Sequence, residues 1–160
     1  MWKINDTVLY RASGLCRIEN ITEEKFGDEV QEYYVLRPLG DEKSIVHIPC
    51  SNTLLCSKMH SLMTSDEIED LIESLPTLSS DWPENDKRRA EYFRSVLETG
   101  NRRDIAGIIM SIRRRREELI AIGKKPRAVD ESICARAEKL LLDEFNFVLE
   151  RNIDVSVFER

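Results

Sequence analysis

The chain has 160 residues and a net charge of −6, with 34% charged and 41% hydrophobic residues. This composition is typical of a soluble globular protein and excludes a disordered or membrane-embedded chain. No apolar run approaches the ~20 residues needed to cross a bilayer, and the N-terminus becomes polar too early for a secretion signal. We therefore expect a cytoplasmic protein that makes no membrane contact, built as one ordinary domain or two small ones.

Residues 1–57 predict β structure, because short β-prone runs alternate there with turn residues. The expected strands are 7–10, 15–21, 32–37 and 44–48, with a candidate fifth at 53–56. Ser13-Gly14 and the segment 38–41 supply turns between them. Four or five short strands in so few residues indicate a small Tudor-like or SH3-like β-barrel.

From Thr64 onward the apolar spacing changes to that of helices. Thr64 and Glu67 have the spacing of a capping box, and Gly100 and Gly123 are suited to end helices. The expected helices begin near residues 65, 86, 102 and 129 and end near 75, 99, 121 and 150, while the tail has no assignment. The chain therefore predicts an α+β protein of two domains, a β-barrel over 1–57 and an all-α helical bundle over 58–160.

Trp82 is the most informative single residue. It lies in the polar stretch 79–86 and is followed directly by Lys87, Arg88 and Arg89. An indole beside cations suits nucleic acid, where the ring wedges or stacks while the charges meet phosphates. The alternative interpretation is that Trp82 caps one end of the helical core.

Positive charge is concentrated in one region of this acidic chain. Residues 87–127 contain 13 Lys or Arg against 5 Asp or Glu, a local excess of +8. Because counterion release depends on charges near phosphate, such a region can bind DNA weakly and in a salt-sensitive manner. Within it, the run 113–116 of four arginines has two interpretations: auxiliary phosphate contact, or ion pairs such as those with Glu117 and Glu118 at i+4.

The chain offers no catalytic or metal-binding pattern. It contains no nucleophile elbow, phosphate loop or metalloprotease motif, and an enzyme would require a cleft that brings His47 or Cys134 against a carboxylate. The histidines are His47 and His60, and the cysteines are Cys16, Cys50, Cys56 and Cys134. Without a CxxC pair the cysteines are expected to be small buried hydrophobes. We expect no enzyme, no cofactor and no metal site.

Several short motifs follow one another along the chain. In the N-terminal half they are Lys3-x-x-Asp6-x-Val8-x-Tyr10, Gly14, Tyr33-Tyr34-Val35-Leu36 and Val46-His47-Ile48-Pro49. In the C-terminal half they are Trp82 with its basic cluster, Thr99-Gly100, the amphipathic helix from Ile105 to Arg116, and Ala137-x-x-Leu140-Leu141-x-x-Glu144. Their order and spacing resemble the CarD/CdnL family of bacterial transcription regulators, whose N-terminal module is shared with transcription-repair coupling factor.

The resemblance implies a Tudor-like domain that docks on the β subunit of RNA polymerase and a helical domain that contacts promoter DNA. The family's tryptophan, matched by Trp82, enters the minor groove at the upstream edge of the bubble and holds the melted state open. Lys87, Arg88 and Arg89 would then meet nearby phosphates. Docking raises the effective concentration of a weak DNA contact, and nothing in the chain requires more than a monomer.

The polymerase contact implied by the resemblance falls on the fourth expected strand and on the polar segment before the third. Family members often carry basic residues at two contact positions where this sequence has Glu24 and His47. Together with Val46 and Ile48 they are the candidate polymerase-binding residues, acting through strand pairing or a polar surface. The alternative function is an adaptor that binds RNA polymerase or another protein without DNA contact, which predicts a buried Trp82 and internally paired arginines at 113–116.

Overall fold

A computed structural model of the chain describes residues 2–159. It combines one antiparallel sheet of five strands with five α-helices, which confirms the predicted α+β class. Its backbone contacts fall into two compact units, one up to Leu62 and one from Met63 onward. That each half folds as an independent domain, with a boundary at residue 57, stays a prediction. No helix within residues 2–159 is long and apolar enough to span a membrane.

The first unit is built on the sheet. Its strands are β1 (Thr7–Tyr10), β2 (Leu15–Phe26), β3 (Glu29–Pro38), β4 (Val46–Pro49) and β5 (Met59–His60). All neighbours are antiparallel in the order β4-β3-β2-β1-β5, so β4 and β5 form the two edges. The β2–β3 hairpin turns at Gly27, whose φ of +66° is a conformation that favours glycine.

The core of this unit lies on one face of the sheet, where alternate strand residues meet. Its buried members are Val8, Tyr10, Cys16, Ile18, Tyr34, Leu36, Ile48 and Met59. Between Ile18 and Asn20 the β2–β3 register shifts by a bulge. A bulge bends its strand and increases the local twist, which helps so short a sheet to enclose its own core.

The strand predicted at 53–56 is wrong, because these residues form a helical turn, α1 (Thr53–Cys56). The Asn52 side chain accepts a hydrogen bond from the Leu55 amide at 3.0 Å. That N-cap stabilises a helical turn despite the β-prone composition of the segment. The fifth strand is instead β5, in the segment predicted as a link, where Tyr10 pairs with Met59.

The strands β2 and β3 are longer than predicted. The polar stretch expected to link them continues both strands, and its pairs run from Asn20 opposite Val35 to Phe26 opposite Glu29. Because cross-strand pairing stabilises polar residues in a ladder as well as apolar ones, the local composition concealed this hairpin.

The second unit is helical and follows the predicted pattern closely. Its helices are α2 (Ser65–Ser74), α3 (Asp86–Thr99), α4 (Arg102–Ala121) and α5 (Ala128–Leu149). Both hydrogen bonds of the capping box between Thr64 and Glu67 are present. Gly100 ends α3 at a φ of +74°. Local capping signals therefore place these helix ends within one or two residues.

The tail after α5 folds back, although it had no sequence assignment. The Asn146 side chain bonds both main-chain groups of Ile153, at 2.7 and 3.0 Å. A 3-10 turn, Val155–Phe158, follows, and the Phe158 ring is only 1% exposed. The tail is thus anchored by one buried aromatic side chain.

Replacing Phe158 with alanine is expected to lower the free energy of unfolding by about 3–5 kcal/mol, because it empties a fully buried ring site. Urea denaturation followed by circular dichroism measures this change. The matched control is Phe147→Ala, since the Phe147 ring is 48% exposed and its removal should cost less than about 1 kcal/mol. Equal costs for the two variants would show that the tail is not anchored in this way.

Candidate functional site

The segment that leads to Trp82 is pinned to the surface of α4. A Cβ added at Gly107 would lie 2.6 Å from the Ser79 carbonyl oxygen, so only glycine permits this approach. The next amide, that of Ser80, donates to the Ser111 hydroxyl at 2.8 Å. One face of α4 therefore offers a position without a side chain, at Gly107, and a hydrogen-bond acceptor, at Ser111. The chain before Trp82 packs against both.

Arg114 adds a third attachment. Its guanidinium donates to the Leu78 carbonyl at 2.7 Å and to the Pro76 carbonyl at 3.0 Å. These carbonyls follow the end of α2, where the main chain has no helical partners. The planar guanidinium of arginine carries several donors and bonds both carbonyls at once. Arg114 therefore holds the loop between α2 and Trp82 against α4.

Arg89 holds the segment from the other side. The residue is only 4% exposed, and its guanidinium bonds both carboxylate oxygens of Asp130 at 3.0 Å. It also reaches the Asp86 carboxylate at 2.9 Å and the Pro83 carbonyl at 3.1 Å. Its Cζ lies 4.8 Å from the centroid of the Trp82 ring, a cation–π distance. Burial opposes the charge of Arg89, but the hydrogen bonds that it donates to the two carboxylates outweigh this effect and raise its pKa.

Trp82 is consequently half-buried and fixed in orientation. Its ring meets Phe93 edge to face, with centroids 5.6 Å apart. The rest of the indole borders two surface cavities, of about 370 and 400 Å³. The residue thus has features of both sequence interpretations: it packs on the bundle, and it also offers ring surface to an external ligand.

The cations that line the cavities beside Trp82 include several that do not directly follow it in the sequence. The larger cavity is lined by the cations Arg89, Arg115, Lys124, Lys125 and Arg127 and by the carboxylates Glu84, Asp86 and Asp130. Lys87 and Arg88 are exposed on the first turn of α3, and neither lines the two cavities beside the indole. The sequence signal for the additional cations was the Lys124-Lys125 pair in the turn that follows Gly123.

The arginines at 113–116 are engaged within the unit, as the ion-pair interpretation predicted. Arg113 pairs with Glu138 and Arg116 with Glu131, both on α5. Arg115 pairs with Glu118 at 3.2 Å on the helix surface. The predicted i+4 partners of Arg113 and Arg114 are wrong, since the first reaches α5 and the second reaches main-chain carbonyls.

Within residues 2–159, Cys134 is the cysteine that forms a hydrogen bond with a carboxylate. Its Sγ lies 3.5 Å from Glu138 Oε1, and both residues are buried. Burial, followed by the charge and hydrogen bond of Glu138, raises the pKa of Cys134 to about 12. Because the thiolate is the reactive form, this thiol is inert at neutral pH and serves as packing.

The candidate polymerase-binding residues lie on two strands: Val46, His47 and Ile48 on the edge strand β4, and Glu24 on β2, with β3 between them. His47 Nδ1 is 4.0 Å from Glu24 Oε1, and the two side chains are 48% and 44% exposed. Val46 is half-buried against the core, and Ile48 is fully buried within it. The structure therefore brings Glu24 and His47 together at the surface, whereas Ile48 offers no side chain to a partner.

The hydrogen-bond pattern shows which main-chain groups of β4 are open. The Cys50 amide donates to the Glu32 carbonyl at 2.9 Å. Since bonded and non-bonded pairs alternate in an antiparallel ladder, Ile48 opposite Tyr34 is the next bonded pair. His47, opposite Val35, then directs its amide and carbonyl away from β3, toward the free edge.

Comparison with known families identifies the sheet-bearing unit. Residues 2–59 match the model of the CarD-like/TRCF RID domain. This unit is therefore similar to the Tudor-like RNA-polymerase-interacting domain of CarD-like proteins and TRCF, and the similarity indicates a transcription-related interaction with RNA polymerase. The match ends at residue 59 and does not extend to the helical unit. A search of curated proteins found no significant match.

Replacing Arg89 with lysine is expected to release the Trp82 segment, because lysine keeps the charge but loses the forked bonds to Asp130 and the Pro83 carbonyl. In a Trp2→Phe background, Trp82 emission should shift to longer wavelength and acrylamide quenching should rise. The free energy of unfolding should fall by about 3 kcal/mol. Arg88→Lys, at an exposed position of the same helix turn, is the control and should change neither. Unaltered emission in Arg89→Lys would refute the clamp.

Proposed function

We propose that this protein is a non-catalytic transcription regulator that docks on the β subunit of RNA polymerase and stabilises the promoter open complex through Trp82. The observation that carries the proposal is an RNA-polymerase-interacting domain in the same chain as a fixed, partly exposed indole beside cations. The docking domain brings the helical unit to the promoter, and the indole contacts DNA at the upstream edge of the bubble.

The fixed orientation of Trp82 suits a wedge. Unstacking a base step costs a few kcal/mol, which is recovered only if the inserted ring is well placed. A side chain that is already immobilised by Arg89 and Phe93 loses little further conformational entropy on binding. The helical bundle therefore holds the Trp82 ring in an orientation that favours insertion into DNA over packing deeper into the core.

The proposed phosphate contacts come from cations on two sides of the indole. Lys124 and Lys125 border the cavity that Trp82 lines, and Lys87 and Arg88 lie exposed at the start of α3. Arg89 has a different role in this proposal, because its guanidinium is buried and bound to Asp130. It positions Trp82 and makes no phosphate contact.

Weak DNA binding is sufficient for this function. Most arginines of the basic region have carboxylate or carbonyl partners within the unit, and the chain is acidic overall. Docking on polymerase converts the DNA contact into an intramolecular one at high effective concentration. The proposal therefore requires few free cations, and it accounts for a net charge that opposes independent DNA binding.

An adaptor function without DNA contact is the second candidate. The internal pairing of the arginines at 113–116 and the partial burial of Trp82 favour it. It predicts that promoter DNA gives Trp82 no protection from acrylamide in the polymerase complex, whereas the wedge predicts strong protection.

Trp82→Ala is expected to abolish the stimulation of promoter opening while binding to polymerase is retained. Loss of one stacked ring should cost the open complex about 1–3 kcal/mol, which is about fivefold or more in the opening equilibrium. Abortive transcription and open-complex lifetimes measure this loss. Phe147→Ala, which removes an exposed ring from the same unit, should behave as the wild type. Normal opening with a folded Trp82→Ala protein would exclude the wedge.

The double variant Lys124→Ala, Lys125→Ala is expected to weaken the stimulation equally on promoters of different sequence. Its salt dependence should become shallower by about one unit of slope for each phosphate that the variant no longer neutralises. Lys87→Ala, Arg88→Ala tests the α3 cations in the same assay. Lys139→Ala is the control, because this lysine pairs with Asp143 on α5. A slope unchanged in both double variants would contradict cation contact with DNA on either side of Trp82.

A further inference from the structure

The edge strand β4 can accept only a short partner strand. The His47 amide and carbonyl face the free edge, as the ladder alternation requires. Pro49 closes the strand and has no amide to donate. An extended segment that adds to this edge therefore finds main-chain partners centred on His47, and side-chain contacts must supply the rest of the affinity and the specificity.

The outer face of the sheet beside this edge carries an organised polar group. The Tyr33 hydroxyl donates to Gln31 Oε1 at 3.1 Å, and the Tyr33 and His47 rings meet edge to face with centroids 6.4 Å apart. The Glu24 carboxylate lies beside this group, 4.0 Å from His47 Nδ1, and its side chain is 44% exposed. It therefore stands next to the His47 edge and remains accessible to a partner.

The negative charge near this face indicates the chemical class of the partner. The hairpin segment from residue 23 to residue 32 carries one lysine and five carboxylates: Glu23, Glu24, Asp28, Glu29 and Glu32. Such a field repels a nucleic acid and attracts a basic protein surface. Of the ligand classes that can add to a strand edge, a cationic polypeptide segment is the one that fits both the open main chain and the charge.

We propose that the polymerase segment bound by this domain is a basic strand, whose arginine or lysine crosses the outer face to pair with Glu24. The inference rests on the proposed docking to the β subunit and adds the charge of the docked surface. Glu24 lies on β2, two strand spacings or about 10 Å from the β4 edge. The Glu24 side chain nevertheless extends to within 4.0 Å of the His47 imidazole on β4, so an arginine or lysine on a strand added beside His47 can reach its carboxylate.

The test is the affinity of the full chain for the purified β subunit of its own RNA polymerase, measured by calorimetry. E24K replaces an attraction by a repulsion and is expected to weaken binding about tenfold or more, with E24Q weakening it about threefold. E73K makes the same charge change at an exposed site on α2 and should stay within about twofold of the wild type. Circular dichroism establishes that each variant is folded.

The outcomes separate this inference from the proposed function. If the wild type binds and E24K binds equally well, or if E73K weakens binding as much as E24K, the basic-strand partner is overturned while docking stands. If the folded wild type does not bind the β subunit, docking itself is overturned and the inference fails with it. Selective weakening in E24K, with the smaller effect in E24Q, supports a cation opposite Glu24.

Discussion

Pairing between arginines and the carboxylates of α5 is the interaction on which the helical unit depends. Buried carboxylates at three levels of α5 bind arginines from α3 and α4: Asp130 with Arg89, Glu138 with Arg113 and Glu144 with Arg102. Removing one partner of such a pair leaves an uncompensated buried charge, which costs about 3–5 kcal/mol. The pairs therefore fix how the helices sit against one another. Because the Arg89 guanidinium also contacts the Trp82 ring, this network sets the geometry of the candidate site.

The same network limits what the positive charge of the region can do. A count along the chain gives a strongly basic stretch, but most of its arginines have carboxylate or carbonyl partners inside the unit. Charges already paired release few counterions on approach to DNA. The cations with freedom to reach phosphate are lysines such as Lys124 and Lys125 in the turn before α5. This division is the reason why the proposed function relies on docking and on the fixed indole more than on total charge.

Local signals predicted the helices well and the site only in part. Thr64, Gly100 and Asn101 act through caps that involve neighbouring residues, so the ends of α2, α3 and α4 follow from the sequence. The sequence alone did not separate Arg89, which positions Trp82, from Lys87 and Arg88, because the three cations stand in one run. Its spacing of four residues before Phe93 already places it on the inward stripe of α3, so helical periodicity was the signal that distinguishes it from Arg88. The partner, Asp130, lies 41 residues away, and no local pattern connects the two.

The meeting of Glu24 with His47 depends on a single extra residue in β2. Before the bulge, the core-facing residues of β2 are Cys16 and Ile18; beyond it, Ile21 packs against the core opposite Tyr34. The alternation is therefore displaced by one position. A regular strand would direct Glu24 toward the core and Glu23 to the surface, because residues two apart share a face. The bulge leaves Glu23 exposed and moves Glu24 to the outer face, where its side chain is 44% exposed and its carboxylate lies 4.0 Å from His47. The sequence contains both residues, but their proximity is a property of the register, and the register is set by tertiary pairing.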